Sequence, residues 1–287
     1  MLMTKPIITV YILLLWSLNS YSQDLSESLR YAFKKSDKDS LRSILTDWNR
    51  KVKSNQGSVE DVYEQAVYSI FNEFYSPFHL DRIGSSEWGD SIYFNKMAIV
   101  QNEISYAIAE FPDPDTIMLA LKKETISLAA YEKKFGTGRR EYRFFRDLKY
   151  PKVEEEDQKE ITDFRPQTKL PPERKLYLTS PYERELTEFL SDQHTPLGAG
   201  GIMNPARATR KTFRRQAFLN NYLALIYGHW GGYWHLETHP EVSLVILNPS
   251  MTKAVIYFRL IYEGGEAYLE KQKGQWTLIE SKLIWIE

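Results

Sequence analysis

A chain of 287 residues, 43% apolar and 26% charged, is long enough for one large domain or two ordinary ones and apolar enough to bury a core. A net charge of −1 gives no electrostatic case for binding nucleic acid. Cysteine is absent, which rules out disulfides and also the lipidated thiol of a bacterial lipoprotein.

The N-terminus has the pattern of a processing segment. Lys5 supplies a positive region, and the 13 residues from Pro6 to Leu18 are apolar. That run falls short of the roughly 20 residues needed to span a bilayer. Ser20 and Ser22 are the small residues a leader peptidase requires ahead of Gln23. Residues 1–22 are therefore expected to be a signal peptide. The mature chain is expected to be exported, periplasmic or secreted, soluble, not lipidated and without a transmembrane span.

Residues 24–55 space Leu25, Leu29, Phe33, Leu41, Ile44, Leu45 and Trp48 at helical intervals, with an interruption near Asp37-Lys38-Asp39. Asn55-Gln56-Gly57 ends this region. A second helix is expected from Ser58, with Asp61 completing a capping box and Val62, Ala66, Ile70 and Phe74 as its stripe. The run from 92 to 110 mixes β-branched residues with alanines and reads as strand. Residues 115–135 read as helix, ended by Gly136-Thr137-Gly138.

An acidic run (154–157) and three prolines, Pro166, Pro171 and Pro172, make 151–175 an expected exposed connection with little to bury. The chain thus divides, as read, into a leader (1–22), a mainly helical region (23–150), the connection (151–175) and an α+β domain (176–287). Within the last, a β-like segment (176–179) precedes a helix starting at Ser180-Pro181 and running to about Ser191. The glycine-rich loop PLGAGGIMN follows. A buried helix is then expected from Asn204-Pro205 to Tyr227, stopped by Gly228.

From His229 to Glu287 the sequence reads as four strands joined by tight turns. Ala254, Ile256, Phe258 and Leu260 alternate with Val255, Tyr257 and Arg259. Asn248-Pro249-Ser250, Gly264-Gly265 and Lys273-Gly274 mark the reversals. Such short connections make an antiparallel meander, and Trp276, Leu278, Ile284 and Ile286 of the last strand are expected to share one face.

A long helix feeding through a tight turn into a meander that closes with GQWTLIESKLIWIE resembles the nuclear transport factor 2-like superfamily over roughly 180–287. The resemblance implies a cone-like α+β fold in which a curved sheet packs on a long helix and leaves a pocket. Superfamily members range from enzymes to binders and interaction modules, so fold alone names no activity. The glycine-rich loop and the large helical N-terminal part depart from the usual pattern.

Three constellations carry candidate chemistry. On a strand through 233–239, Tyr233, His235, Glu237 and His239 share a face, with His229 nearby. Histidine and carboxylate together suit acid–base work or zinc, but ligands two apart on one strand match no zinc spacing, so no metal is expected. Tyr227, Trp230, Tyr233 and Trp234 around Gly231-Gly232 suit a ligand pocket, or simply pack the mouth of a core. Arg207, Arg210, Lys211 and Arg214 cluster on one side of the 205–215 helix and suit an anionic ligand or partner.

The resulting expectation is a non-catalytic exported protein that binds a small molecule or a protein partner. Its ligand-binding candidates are Tyr227, His229, Trp230, Tyr233, Trp234, Arg207, Arg210 and Arg214, and no cofactor is expected. The alternatives are a hydrolase, lyase or isomerase using His235, Glu237 or His239, and an interaction module built on the basic helix.

Overall fold

The computed structural model describes residues 25–84, 96–113, 130, 133, 150–191, 210–227, 234–235, 239–260 and 263–286. The expected leader, the glycine-rich loop and all of the expected 115–135 helix except Ala130 and Lys133, which are helical, lie outside the described residues. No helix among the described residues is long and apolar enough to cross a membrane. The architecture is α+β, with helices concentrated in the N-terminal part and a C-terminal sheet.

Two compact units interleave along the chain. The first is Met1–Lys53, Asn95–Val100 and Pro171–Glu237; the second is Ser54–Phe94, Gln101–Leu170 and Thr238–Glu287. The sequence reading divides the chain into consecutive segments, whereas each unit draws on three separate stretches.

In the first unit, helix α1 (25–35) ends at Ser36, whose φ is 53°, and Asp37 caps α2 (Lys38–Lys51). The expected interruption is thus a left-handed residue followed by a new N-cap. Helix α2 buries Leu41, Leu45 and Trp48. Strand β1 (Ala98–Val100) pairs in parallel with β4 (Lys175–Tyr177), which leads into α4 (Ser180–Ser191). Helix α5 (Arg210–Leu219) stops well before the expected Tyr227. The reason is local: Asn220 Oδ1 accepts the Leu225 N–H at 3.0 Å, and Asn221 folds its amide back on the Phe218 carbonyl at 2.7 Å. Both bonds compete with continued helix. The chain then forms β5 (Ile226–Tyr227), antiparallel to β6 (Trp234–His235).

In the second unit, the helix that packs the sheet is α3 (Val62–Phe74). Asp61 is itself the N-cap, accepting from Tyr63 N at 2.8 Å and Glu64 N at 3.0 Å, so the expected start at Ser58 is corrected to a 3₁₀ turn, Gln56–Ser58. Strands β2 (Glu103–Ile108), β3 (Lys159–Thr162), β7 (Glu241–Leu247), β8 (Lys253–Leu260), β9 (Glu263–Gln272) and β10 (Gln275–Ile286) form one sheet in the order β10-β9-β8-β7-β2-β3. The expected meander is its β7–β10 part. The first meander strand begins at Glu241, not near Tyr233, and β2 joins β7 in parallel, so the sheet is mixed.

Three local expectations change here. The 151–175 stretch is not an exposed connection: β3 closes the sheet edge, Ile161 is buried, and Phe164 lies 4.5 Å from the Tyr68 ring and 5.0 Å from Phe71. Its charged residues face outward on an edge strand, where charge discourages further pairing. Gly264-Gly265 is not a turn but lies within β9. A Cβ on Gly265 would sit 2.2 Å from Phe258 Cζ, so the small residue makes room for that ring. Register shifts at 278/280 and 283/285 of β10 also break the assumed alternation, leaving Ile279 and Ile284 as the extra residues.

Candidate functional site

A wide concavity among the described residues lies in the second unit, between α3 and the tip of the β9–β10 hairpin. It is an open groove of about 590 Å³. Its helical wall follows from spacing: Val62, Gln65, Ala66, Ser69, Asn72 and Glu73 recur at three- and four-residue intervals along one side of α3. The opposite face of the helix holds Val67, Ile70, Phe71 and Phe74 in the core, and Phe74 meets Phe258 of β8 at 4.9 Å.

The sheet wall is set by two turns. Lys273 and Gly274 have φ of 50° and 84°, the left-handed pair of a two-residue hairpin. This turn brings Trp276 opposite Lys271. Lys271 Nζ lies 6.0 Å from the Trp276 ring centroid, at the outer limit of a cation–π contact. In the β7–β8 turn, Asn248 Oδ1 accepts from Thr252 N and Lys253 N, both at 2.8 Å, and Met251 is held at φ 51° on the rim.

Electrostatically the groove is asymmetric. Glu73 is bridged by Arg82 at 3.0 Å and Lys169 at 2.6 Å, so its charge is already met. Lys271 is exposed at the other end. On the helical wall, Asn72 Nδ2 donates to Gln56 Oε1 at 2.9 Å, and Asn72 Oδ1 is buried with no hydrogen bond among the described residues. Val62, 55% exposed, gives the groove an apolar lip. The arrangement offers an aromatic face and an exposed cation, groups suited to binding and orienting a solute.

Two other concavities are smaller. In the first unit, about 240 Å³ lies beside Trp48, Asp47, Lys51 and Tyr182. On the second face of the six-stranded sheet, about 400 Å³ lies over Leu244, Ile246 and Tyr257, with Tyr150 alongside. On that face Tyr257 is in register with Glu266, which is 1% exposed and 3.6 Å from Lys282 Nζ. Nearby, burial and then the hydrogen bond to Glu270 at 2.7 Å push the Tyr268 phenol up, so it stays protonated.

The sequence candidates are dispersed. Arg207, His229, Trp230, Tyr233 and Glu237 lie outside the described residues. Tyr227, Trp234 and His235 fall on the two-residue strands β5 and β6 of the first unit. His239 belongs to the second unit, directly before β7, and is 0% exposed. Among the described residues no group of three His, Asp or Glu could hold a metal ion. Arg210 and Arg214 are exposed one turn apart on α5. Their neighbour Arg215, which the sequence reading passed over, is 3% exposed: it donates to the Phe189 carbonyl at 2.7 Å and lies 5.3 Å and 5.8 Å from the Phe189 and Phe33 rings.

The groove itself escaped the sequence reading. Trp276 and the Lys273-Gly274 turn were visible, but nothing in the sequence pairs the β9–β10 hairpin with a helix two hundred residues upstream. No protein-family model, no curated protein and no solved structure matches the chain.

Proposed function

We propose that this chain is an exported, non-catalytic binding protein whose site is the groove between α3 and the β9–β10 hairpin. The observation that carries this reading is the pairing of Trp276 and Lys271 on a groove of about 590 Å³. An aromatic face and an exposed cation fix a ligand's position without supplying proton transfer. Binding is preferred over acid–base catalysis at His235, Glu237 and His239 because His239 is fully buried. Export rests on Lys5, the apolar run Pro6–Leu18 and the small residues before Gln23.

The test is a ligand-observed NMR screen with small sugars, short peptides and organic acids against the wild-type chain and Lys271→Glu. Groove ligands should lose binding in the variant while its melting temperature stays within a few degrees. Hits that bind both proteins equally would overturn the assignment of the site. For export, mass spectrometry of the secreted form should find an N-terminus near Gln23; an intact leader would refute that part.

A further inference from the structure

Strand β10 lies at the edge of the sheet, and among the described residues its outer side is covered over one part and open over another. From Ser281 onward it is covered: Ser281 Oγ donates to the Ile83 carbonyl at 2.8 Å, and Gly84 packs so closely that a Cβ there would sit 3.2 Å from Leu283 N. Nearer the hairpin the edge is bare among the described residues. The two-residue turn makes Gln272 and Gln275 the closing hydrogen-bonded pair. Antiparallel alternation then points the N–H and C=O of Trp276 and Leu278 away from β9. Lys271, opposite Trp276, accordingly turns its own N–H the other way, to the Thr252 carbonyl at 2.8 Å. Among the described residues, no hydrogen bond uses the outward main-chain groups of Trp276 or Leu278.

Trp276 therefore serves two surfaces. Its ring lines the groove, while its main chain offers a donor and an acceptor to an added strand. The neighbouring Ile279, displaced by the bulge, is 46% exposed. Unpaired edges are usually blunted by charge or brevity, as at the other edge, where β3 is four residues long and exposes Lys159 and Glu160. The Trp276–Ile279 stretch of β10 carries no charge at all.

Building on the groove reading, we infer that the Trp276–Leu278 edge accepts an extended peptide segment of a partner protein as an additional strand. Alternate side chains of that segment would enter the groove. The groove selects their chemistry. Val62, Ala66 and Trp276 take an apolar side chain. Lys271 takes an acidic one, because Glu73 is already bridged by Arg82 and Lys169.

The probe is a short labelled peptide alternating Thr with Val and Glu, together with the same peptide N-methylated at every second amide. Wild-type full-length chain should bind the first by fluorescence anisotropy. Because each lost main-chain bond leaves a buried group unpaired, N-methylation should weaken binding by about ten-fold or more. Lys271→Glu should weaken it as well. Hydrogen exchange at the Trp276 and Leu278 amides should slow by about ten-fold when the peptide is present.

If the peptide binds but N-methylation and those two amides are indifferent, strand addition is overturned while the groove reading survives. If the peptide fails to bind while sugars or organic acids bind in a Lys271-dependent way, the inference falls alone. If nothing binds in a Lys271-dependent way, both fall. Protection of the two amides without peptide, together with a dimer by light scattering, would show a second copy on this edge and overturn the inference.

Discussion

Two tryptophans, one in each compact unit, both border a concavity, and their surroundings differ in kind. Trp48 is held on every side: its indole N–H donates to the Tyr177 carbonyl at 3.1 Å, and its face stacks on Tyr182 at 4.1 Å and 13°. Both the apolar body and the polar handle are satisfied within the fold. Trp276 is 8% exposed with a lysine ammonium 6.0 Å from its ring centroid, and its ring makes no hydrogen bond among the described residues. Both rings are buried, but only Trp48 has its polar handle satisfied within the fold, which is the difference expected between a structural ring and the ligand-facing ring proposed above.

The contrast breaks first at Trp48. Trp48→Ala should cost about 3–5 kcal/mol, the usual range for a large core aromatic, because cavity, stack and hydrogen bond are lost together. Urea denaturation followed by circular dichroism measures it. Next comes Gly265→Ala, where the added methyl drives into the Phe258 ring, itself backed by Phe74. Overpacking there should destabilise by about 2–3 kcal/mol. A neutral result would mean the sheet yields easily and the groove wall is not rigid.

Trp276→Ala should cost less than either, about 2 kcal/mol, because the vacated volume opens onto the groove and water can enter it. Its larger effect should be on binding. If Trp48→Ala and Trp276→Ala cost the same, the distinction between structural and ligand-facing rings collapses.

What the sequence made legible follows from the range of the physics involved. Local rules worked: Lys273-Gly274 forms its turn, Asn248 organises the β7–β8 reversal, and Ala254, Ile256, Phe258 and Leu260 share a buried face. Rules that needed a distant partner failed. Gly264-Gly265 reads as a turn until Phe258 is seen to need the space, and the acidic run hides Ile161 and Phe164. The resemblance rested on a helix at 204–227 feeding the sheet, but the helix that packs the sheet within its unit is α3. The parallel pairing of β2 with β7 brings together residues about 140 positions apart, as in Ser105 with Leu244, and no periodicity announces it. The histidine-centred site was read from one imagined strand through 233–239, of which only Trp234–His235 is a strand among the described residues.

The two caps carry the comparison to its finest scale. Asp61 caps the helix that walls the groove, and Asp61→Ala should destabilise by about 1 kcal/mol, with the loss showing as faster hydrogen exchange in the first turn of α3.

Asp37 caps the helix that carries Trp48, and here the readout is pH. The Ser40 hydroxyl, 2.6 Å from Oδ2, and the Ser40 N–H, 2.9 Å from Oδ1, hold the Asp37 carboxyl below its ordinary value of 3.8. A carboxyl whose folded pKa is depressed stabilises the fold above its unfolded pKa, and that contribution is lost as pH falls through the folded value. The stability difference between wild type and Asp37→Ala should therefore be flat from neutrality down to about pH 5 and narrow below 3.8. Ser40→Ala should shrink the pH-dependent part of that difference and raise the pH at which it is exhausted, because it removes the hydroxyl that contributes most to the depression. Because the carboxyl is only half-buried, salt should reduce the effect. A difference that stays constant through pH 3 would show that the cap acts without its charge.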